Sequence, residues 1–80
     1  MKIKIYDNGG ETFDRYTVIY IGSHYNGFYS CLGMSENPFS PQGYGQHGSC
    51  TDGPHLGKEI QFEDIPEACQ RAVRNDLEEL

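Results

Sequence analysis

The sequence predicts an α+β fold: a three- to four-stranded antiparallel sheet of meander type, one C-terminal helix packed on one face, and a long Gly/Pro-rich loop. Three observations carry this expectation. Period-two patterning runs through residues 1–7 and 28–34, Asn26-Gly27 marks a tight hairpin, and residues 65–77 switch to steps of three and four. Eighty residues are expected to form one domain, residues 1–80, because two cores cannot be built from so short a chain.

Met1 to Asp7 places Ile3 and Ile5 on one side and Lys2, Lys4 and Tyr6 on the other. This alternation predicts a half-buried edge strand, with the lysines discouraging further pairing. Asn8-Gly9-Gly10 tolerates positive φ and predicts a turn. Arg15 to Gly22 is β-branched and aromatic on both faces, the composition of a central strand. Tyr25-Asn26-Gly27-Phe28 has the Asn-Gly pair of a type I′ hairpin, and Phe28 to Met34 returns as the third strand.

Gly33 to Gly57 then lacks periodicity and holds three of the four prolines and six of the ten glycines. A connection of this length in a compact domain is usually functional or mobile. Lys58 to Phe62 alternates again, a short further strand. Asp64-Ile65-Pro66-Glu67 predicts a helix start, with Asp64 as N-cap and proline in the first turn. Behind it Ile65, Ala68, Cys69, Ala72, Val73 and Leu77 form an apolar stripe suited to covering a sheet.

Composition narrows the function classes. The net charge is −6, of which −4 falls in residues 63–80. Phosphate contacts need Lys and Arg, so direct nucleic-acid binding is not expected. The longest uninterrupted apolar run is Val18-Ile19-Tyr20-Ile21, far short of a bilayer span, so no membrane partner is expected. No apolar core follows Met1-Lys2-Ile3-Lys4, which predicts a cytoplasmic location. Three cysteines in a reducing compartment are expected as free thiols, with Cys31 and Cys69 facing the core. So small a chain has a thin stability margin, which makes homodimerisation, a metal or a protein partner natural means of support.

The loop contains several patterns with chemical meaning. Gly43-Tyr44-Gly45-Gln46-His47-Gly48 matches the dinucleotide fingerprint, but that motif requires a strand before it and a helix after it. Prolines 38 and 41 precede it, and no Lys or Arg occurs from 35 to 57, so a nucleotide is excluded. His47, Cys50 and His55 have soft donors suited to zinc, with His24, Cys31 or Asp52 as a fourth ligand. Structural zinc sites usually present two tight ligand pairs and only one exists here, so no cofactor or metal is assigned. The same Cys50, with His47 or His55 and Asp52, could be drawn as a nucleophilic triad. No basic residue is nearby in sequence to activate the thiol, so no catalytic residue is assigned and the chain is not expected to be an enzyme.

Phe39 and Tyr44 remain, in a chain with six Tyr and four Phe. Either they fold the loop over the sheet, or they form an exposed aromatic patch that anchors a partner. Asp76, Glu78 and Glu79 sit at the negative end of the helix macrodipole, where cations would be preferred. Acids in that place suit either a solvated tail or a basic surface on a protein partner.

Asp14-Arg15-Tyr16-Thr17-Val18, Gly33-Met34-Ser35, Asn37-Pro38, Pro41-Gln42-Gly43, His55-Leu56-Gly57-Lys58 and Glu63-Asp64-Ile65-Pro66 together carry a resemblance. The chain resembles a loose class of short, uncharacterised reading frames of phages and mobile elements. The resemblance transfers no catalytic or ligand residue. It implies that a small acidic phage protein of this kind acts by binding host machinery, including as an anti-defence inhibitor. The expected function is therefore a non-catalytic protein-binding module, with Phe39, Tyr44, Asp76, Glu78 and Glu79 as contact residues.

Overall fold

The computed structural model of the chain describes residues 2–23 and 25–79. Strands β1 (Ile3–Asp7), β2 (Tyr16–Tyr20), β3 (Tyr29–Met34), β4 (Gly45–Cys50) and β5 (Lys58–Ile60) precede helix α1 (Glu67–Glu79). The strands form one antiparallel sheet in the order β4-β3-β2-β1-β5. The α+β architecture with one C-terminal helix is as expected. The sheet, however, has five strands rather than three or four.

The extra strand is β4, which lies inside the stretch expected to be loop. Its sequence, Gly-Gln-His-Gly-Ser-Cys, has no β-branched residue and two glycines, so its intrinsic preference for strand is poor. Six residues of β3 nevertheless oppose it, from Tyr29 against Cys50 to Met34 against Gly45. Main-chain pairing to a well-formed neighbour supplies what the side chains lack.

Strand β1 differs from expectation in position. It is not an edge: β5 pairs on its outer side, placing Ile5 against Ile60 and Asp7 against Lys58. Tyr6, grouped with the lysines by alternation, is buried. Period two tells which residues share a face, but not whether a face or an edge is covered. Strand β2 is central, as its composition predicts. The turn after it has Asn26 at φ 51° and Gly27 at φ 85°, the two positive values a type I′ hairpin requires.

Both faces of the sheet are packed. On one, Ile5, Tyr16, Val18, Tyr20, Leu32 and Met34 meet Ile65, Cys69 and Val73 from the helix and its approach. On the other, Tyr6, Ile19 and Cys31 form a smaller cluster, flanked by Leu56 and Cys50. Fully burying side chains such as Val18, Ile19 and Val73 stabilises the fold by about 1.5–3 kcal/mol each. Residues 51–57 cross this second face to join β4 to β5. Asp52 secures the crossing, accepting hydrogen bonds from Tyr6 Oη (2.5 Å) and Lys4 Nζ (2.9 Å).

The helix begins later than its cap signal suggests. Asp64 closes a 3₁₀ turn (Phe62–Asp64) and accepts the Gln61 N–H at 2.9 Å, rather than capping α1. Proline 66 forces the residue before it out of helical geometry, and Ile65 is extended at φ −86°, ψ 154°. The first helical bond runs from the Gln70 N–H to the Pro66 carbonyl. Among the described residues, no helix is long and apolar enough to cross a membrane.

Two glycines separate backbone need from open space. Gly57 has φ 115°, and a Cβ there would stand 2.3 Å from the Asp7 carbonyl oxygen. Among the described residues other than its two chain neighbours, nothing lies within 4 Å of the position a Cβ would take at Gly48. Gly57→Ala is expected to cost about 1–3 kcal/mol in urea unfolding. Gly48→Ala is expected to be neutral or to add about 0.4–1 kcal/mol.

Candidate functional site

Because β4 is an outer strand, one side of its main chain meets no other strand among the described residues. The Ser35 N–H donates to the Tyr44 carbonyl at 2.8 Å, so that opposed pair is a hydrogen-bonded one. Bonded and non-bonded pairs alternate along an antiparallel ladder. Gln46, Gly48 and Cys50 therefore turn their N–H and C=O toward β3, and Gly45, His47 and Ser49 turn theirs outward.

The two aromatic residues named from the sequence straddle this strand. Phe39 lies on the helix side, 48% exposed, with the Arg71 guanidinium 4.5 Å from its ring centre. That contact is a cation–π pair of the kind worth about 0.5–1 kcal/mol at an exposed position. Between Phe39 and the sheet runs a shallow cleft of about 190 Å³, lined by Leu32, Met34, Pro38, His47 and Ala72. Tyr44 lies on the opposite face, 37% exposed, with its hydroxyl on the Gln46 side-chain carbonyl. Neither ring covers the sheet in the way a fully packed loop would.

Tyr44 also meets a residue that sequence reasoning did not single out. The Phe13 ring centre is 6.4 Å away, tilted by 60°, and Phe13 is 65% exposed. Residues 11–14 had no assignable period, and the only available signal was a bulky aromatic in a charged turn. A second cleft, about 320 Å³, separates Phe13 from the 35–43 segment. Arg15 forms its wall and is itself held, donating to Asp7 (2.8 and 3.1 Å) and to Glu36 (2.6 Å).

The acidic residues expected to contact a partner are distributed differently. Asp76 is not a free anion on the helix end: it accepts a hydrogen bond from Tyr20 Oη at 2.5 Å, and His47 Nε2 lies 2.7 Å from the same oxygen. Burial first, then this bond, holds the Tyr20 phenol above its ordinary pKa. Glu78 is exposed, and the side chain of Glu79 lies outside the described residues. Asp76 thus joins α1 to β2 and β4.

The soft-ligand trio is not brought together. His47 faces Asp76 on the helix side, whereas Cys50 packs on the other face beside Tyr6, Ile19 and Cys31. His55 Nε2 lies 3.4 Å from Thr51 Oγ1. Of the three candidates for a fourth ligand, His24 lies outside the described residues. Among the described residues, no group of three or more His, Cys, Asp or Glu is placed to hold a metal. Burial, and then the adjacent Cys31 thiol, push the Cys50 thiol up to about 12, opposite to what a nucleophile needs.

Two carboxylates are expected to contribute to the acid limit of the fold. Hydrogen bonds from Arg15 hold Asp7 below its ordinary 3.8, and those from Tyr6 and Lys4 do the same for Asp52. A depressed folded pKa contributes stability that is complete above the unfolded value and is lost as pH falls through the folded one. Melting temperature is therefore expected to hold steady down to about pH 5 and to fall below about pH 4, and Asp52→Asn should flatten that acid limb. Asp76→Ala leaves the Tyr20 hydroxyl without its acceptor and is expected to cost about 1–3 kcal/mol in urea unfolding, more than Asp76→Asn.

Comparison of the chain with family models, curated proteins and solved structures finds no match to any of the three.

Proposed function

We propose that the protein is a non-catalytic protein-binding module whose contact surface is the Phe39–Tyr44 side of the molecule. The observation that supports this reading is the pair of half-exposed aromatic rings set on either side of a strand edge with outward main-chain groups. Aromatic side chains with an apolar body and few rotamers are the commonest anchors of protein interfaces. Phe13 extends the surface beyond Tyr44. Glu78 adds negative charge at the helix end, which suits a partner with a basic surface. Asp76 serves this surface indirectly, by fixing His47 and the strand that carries it.

Binding of host machinery by a small acidic phage protein is the biological setting that the sequence resemblance implies, and an anti-defence inhibitor is one form of it. Cys50 has the wrong setting for a thiolate nucleophile, which favours recognition over catalysis.

The test is affinity capture from a host lysate with the wild-type chain, followed by direct titration of the captured protein. Phe39→Ala and Tyr44→Ala are each expected to weaken binding about tenfold or more, as loss of an interface anchor does. Charge reversal at Glu78 should act mainly on the association rate and its salt dependence. Binding untouched by all three changes would place the interface elsewhere. Activity abolished by Cys50→Ser in a folded protein would make it an enzyme.

A further inference from the structure

We infer that the outer edge of β4 is a self-association surface, on which a second copy of this chain adds its own β4 to make one continuous antiparallel sheet. This goes beyond the binding of a foreign partner and rests on that reading only in that Phe39 and Tyr44 flank the same strand.

The two ends of the sheet are treated differently. At one end, β5 has three residues, and two of them are Lys58 and Glu59. Short length and charge are the usual means of blunting an edge. At the other end, β4 has six residues and none of these protections. It contains no proline and no charged side chain, and its register against β3 runs without a bulge. Gly45, Gly48 and Ser49 leave the approach to the main chain open. The outward N–H and C=O groups of Gly45, His47 and Ser49 are spaced for an antiparallel neighbour.

Charge indicates a copy of the same chain as the occupant. The chain carries −6 overall, so most ways of joining two copies bring carboxylates together. Residues 37–51 contain no Asp, Glu, Lys or Arg. Two β4 strands can therefore meet without like charges across the seam. The nearest acid, Asp76, is already covered by Tyr20 and His47. A two-fold pairing satisfies the same groups on both copies, since the strand is its own complement. It also presents the Phe13, Phe39 and Tyr44 surfaces twice on one sheet.

Sedimentation equilibrium of untagged protein over about 5–500 μM tests this, since edge pairing of this size is expected to have a dissociation constant in the micromolar range. The mass should rise from 9.0 kDa toward twice that value. Hydrogen exchange should show the His47 and Ser49 amides gaining protection with concentration, while Gln46 and Gly48 are protected throughout. Ser49→Pro removes only an outward N–H, and the preceding Gly48 lacks the Cβ with which a proline ring would clash. It is expected to keep the melting temperature and to weaken association about tenfold or more. Ser49→Lys, which keeps the amide, provides the same test should the proline variant fail to fold.

A chain that stays monomeric across the range overturns the inference. So does a dimer indifferent to both Ser49 changes, or one in which His47 and Ser49 amides stay unprotected. Protection of these amides only on adding a captured protein would assign the edge to that partner instead. Monomers that still lose capture on Phe39→Ala would leave the proposed function standing without this inference. A Ser49-sensitive dimer with capture indifferent to Phe39 and Tyr44 would do the reverse.

Discussion

Strand β3 is bonded on both sides, and the surface that distinguishes this molecule depends on its outer ladder. On its inner side, Leu32 and Met34 join Val18 and Tyr16 of β2 in the larger core. On its outer side, the same main chain holds β4, a strand with almost no apolar side chain of its own. Burial on one flank thus positions a polar strand on the other. The hydrogen bonds there are worth little individually, but they follow from a neighbour already fixed by packing.

Two aspartates then convert pairing into a defined shape. Asp76 ties the helix to β2 and β4 through Tyr20 and His47, and Asp52 ties the 51–57 crossing to β1 through Tyr6 and Lys4. Each stands where an apolar cluster meets solvent, so a buried phenol finds an acceptor without an isolated charge being buried. Phe39 and Tyr44 are held by what lies around them: Arg71 and the cleft lining on one face, Phe13 and Gln46 on the other. Such a surface is ordered without being covered, and that is the condition for a recognition site of low entropic cost.

Much of the scaffold was legible because local chemistry and burial agree there. Asn26-Gly27 has one low-cost conformation, and it is the one found. The stripe from Ile65 to Leu77 packs on the sheet as its spacing predicts, and β2 is central as its two-faced composition requires. Elements whose neighbours lie far away in the chain were not legible. β4 depends on β3 rather than on its own residues, and the burial of Tyr6 depends on Asp52, 46 positions later. The site divides along the same line: Phe39 and Tyr44 could be named as aromatic rings in a polar loop, whereas Phe13 joins them only through a contact across the sheet end. Asp76 looked like a solvated acid because Tyr20 and His47 are remote in sequence.

By itself the amino-acid order determined the α+β class, the hairpin, the helix and its buried stripe, since these need only backbone preference and periodicity over a few neighbours. Tertiary structure alone decided that the sheet has five strands, that β1 is interior, and that the middle segment is part loop, part strand and part crossing. Those features arise from hydrogen bonds and contacts between residues tens of positions apart. No local pattern encodes them, because the groups that satisfy them are supplied by other elements.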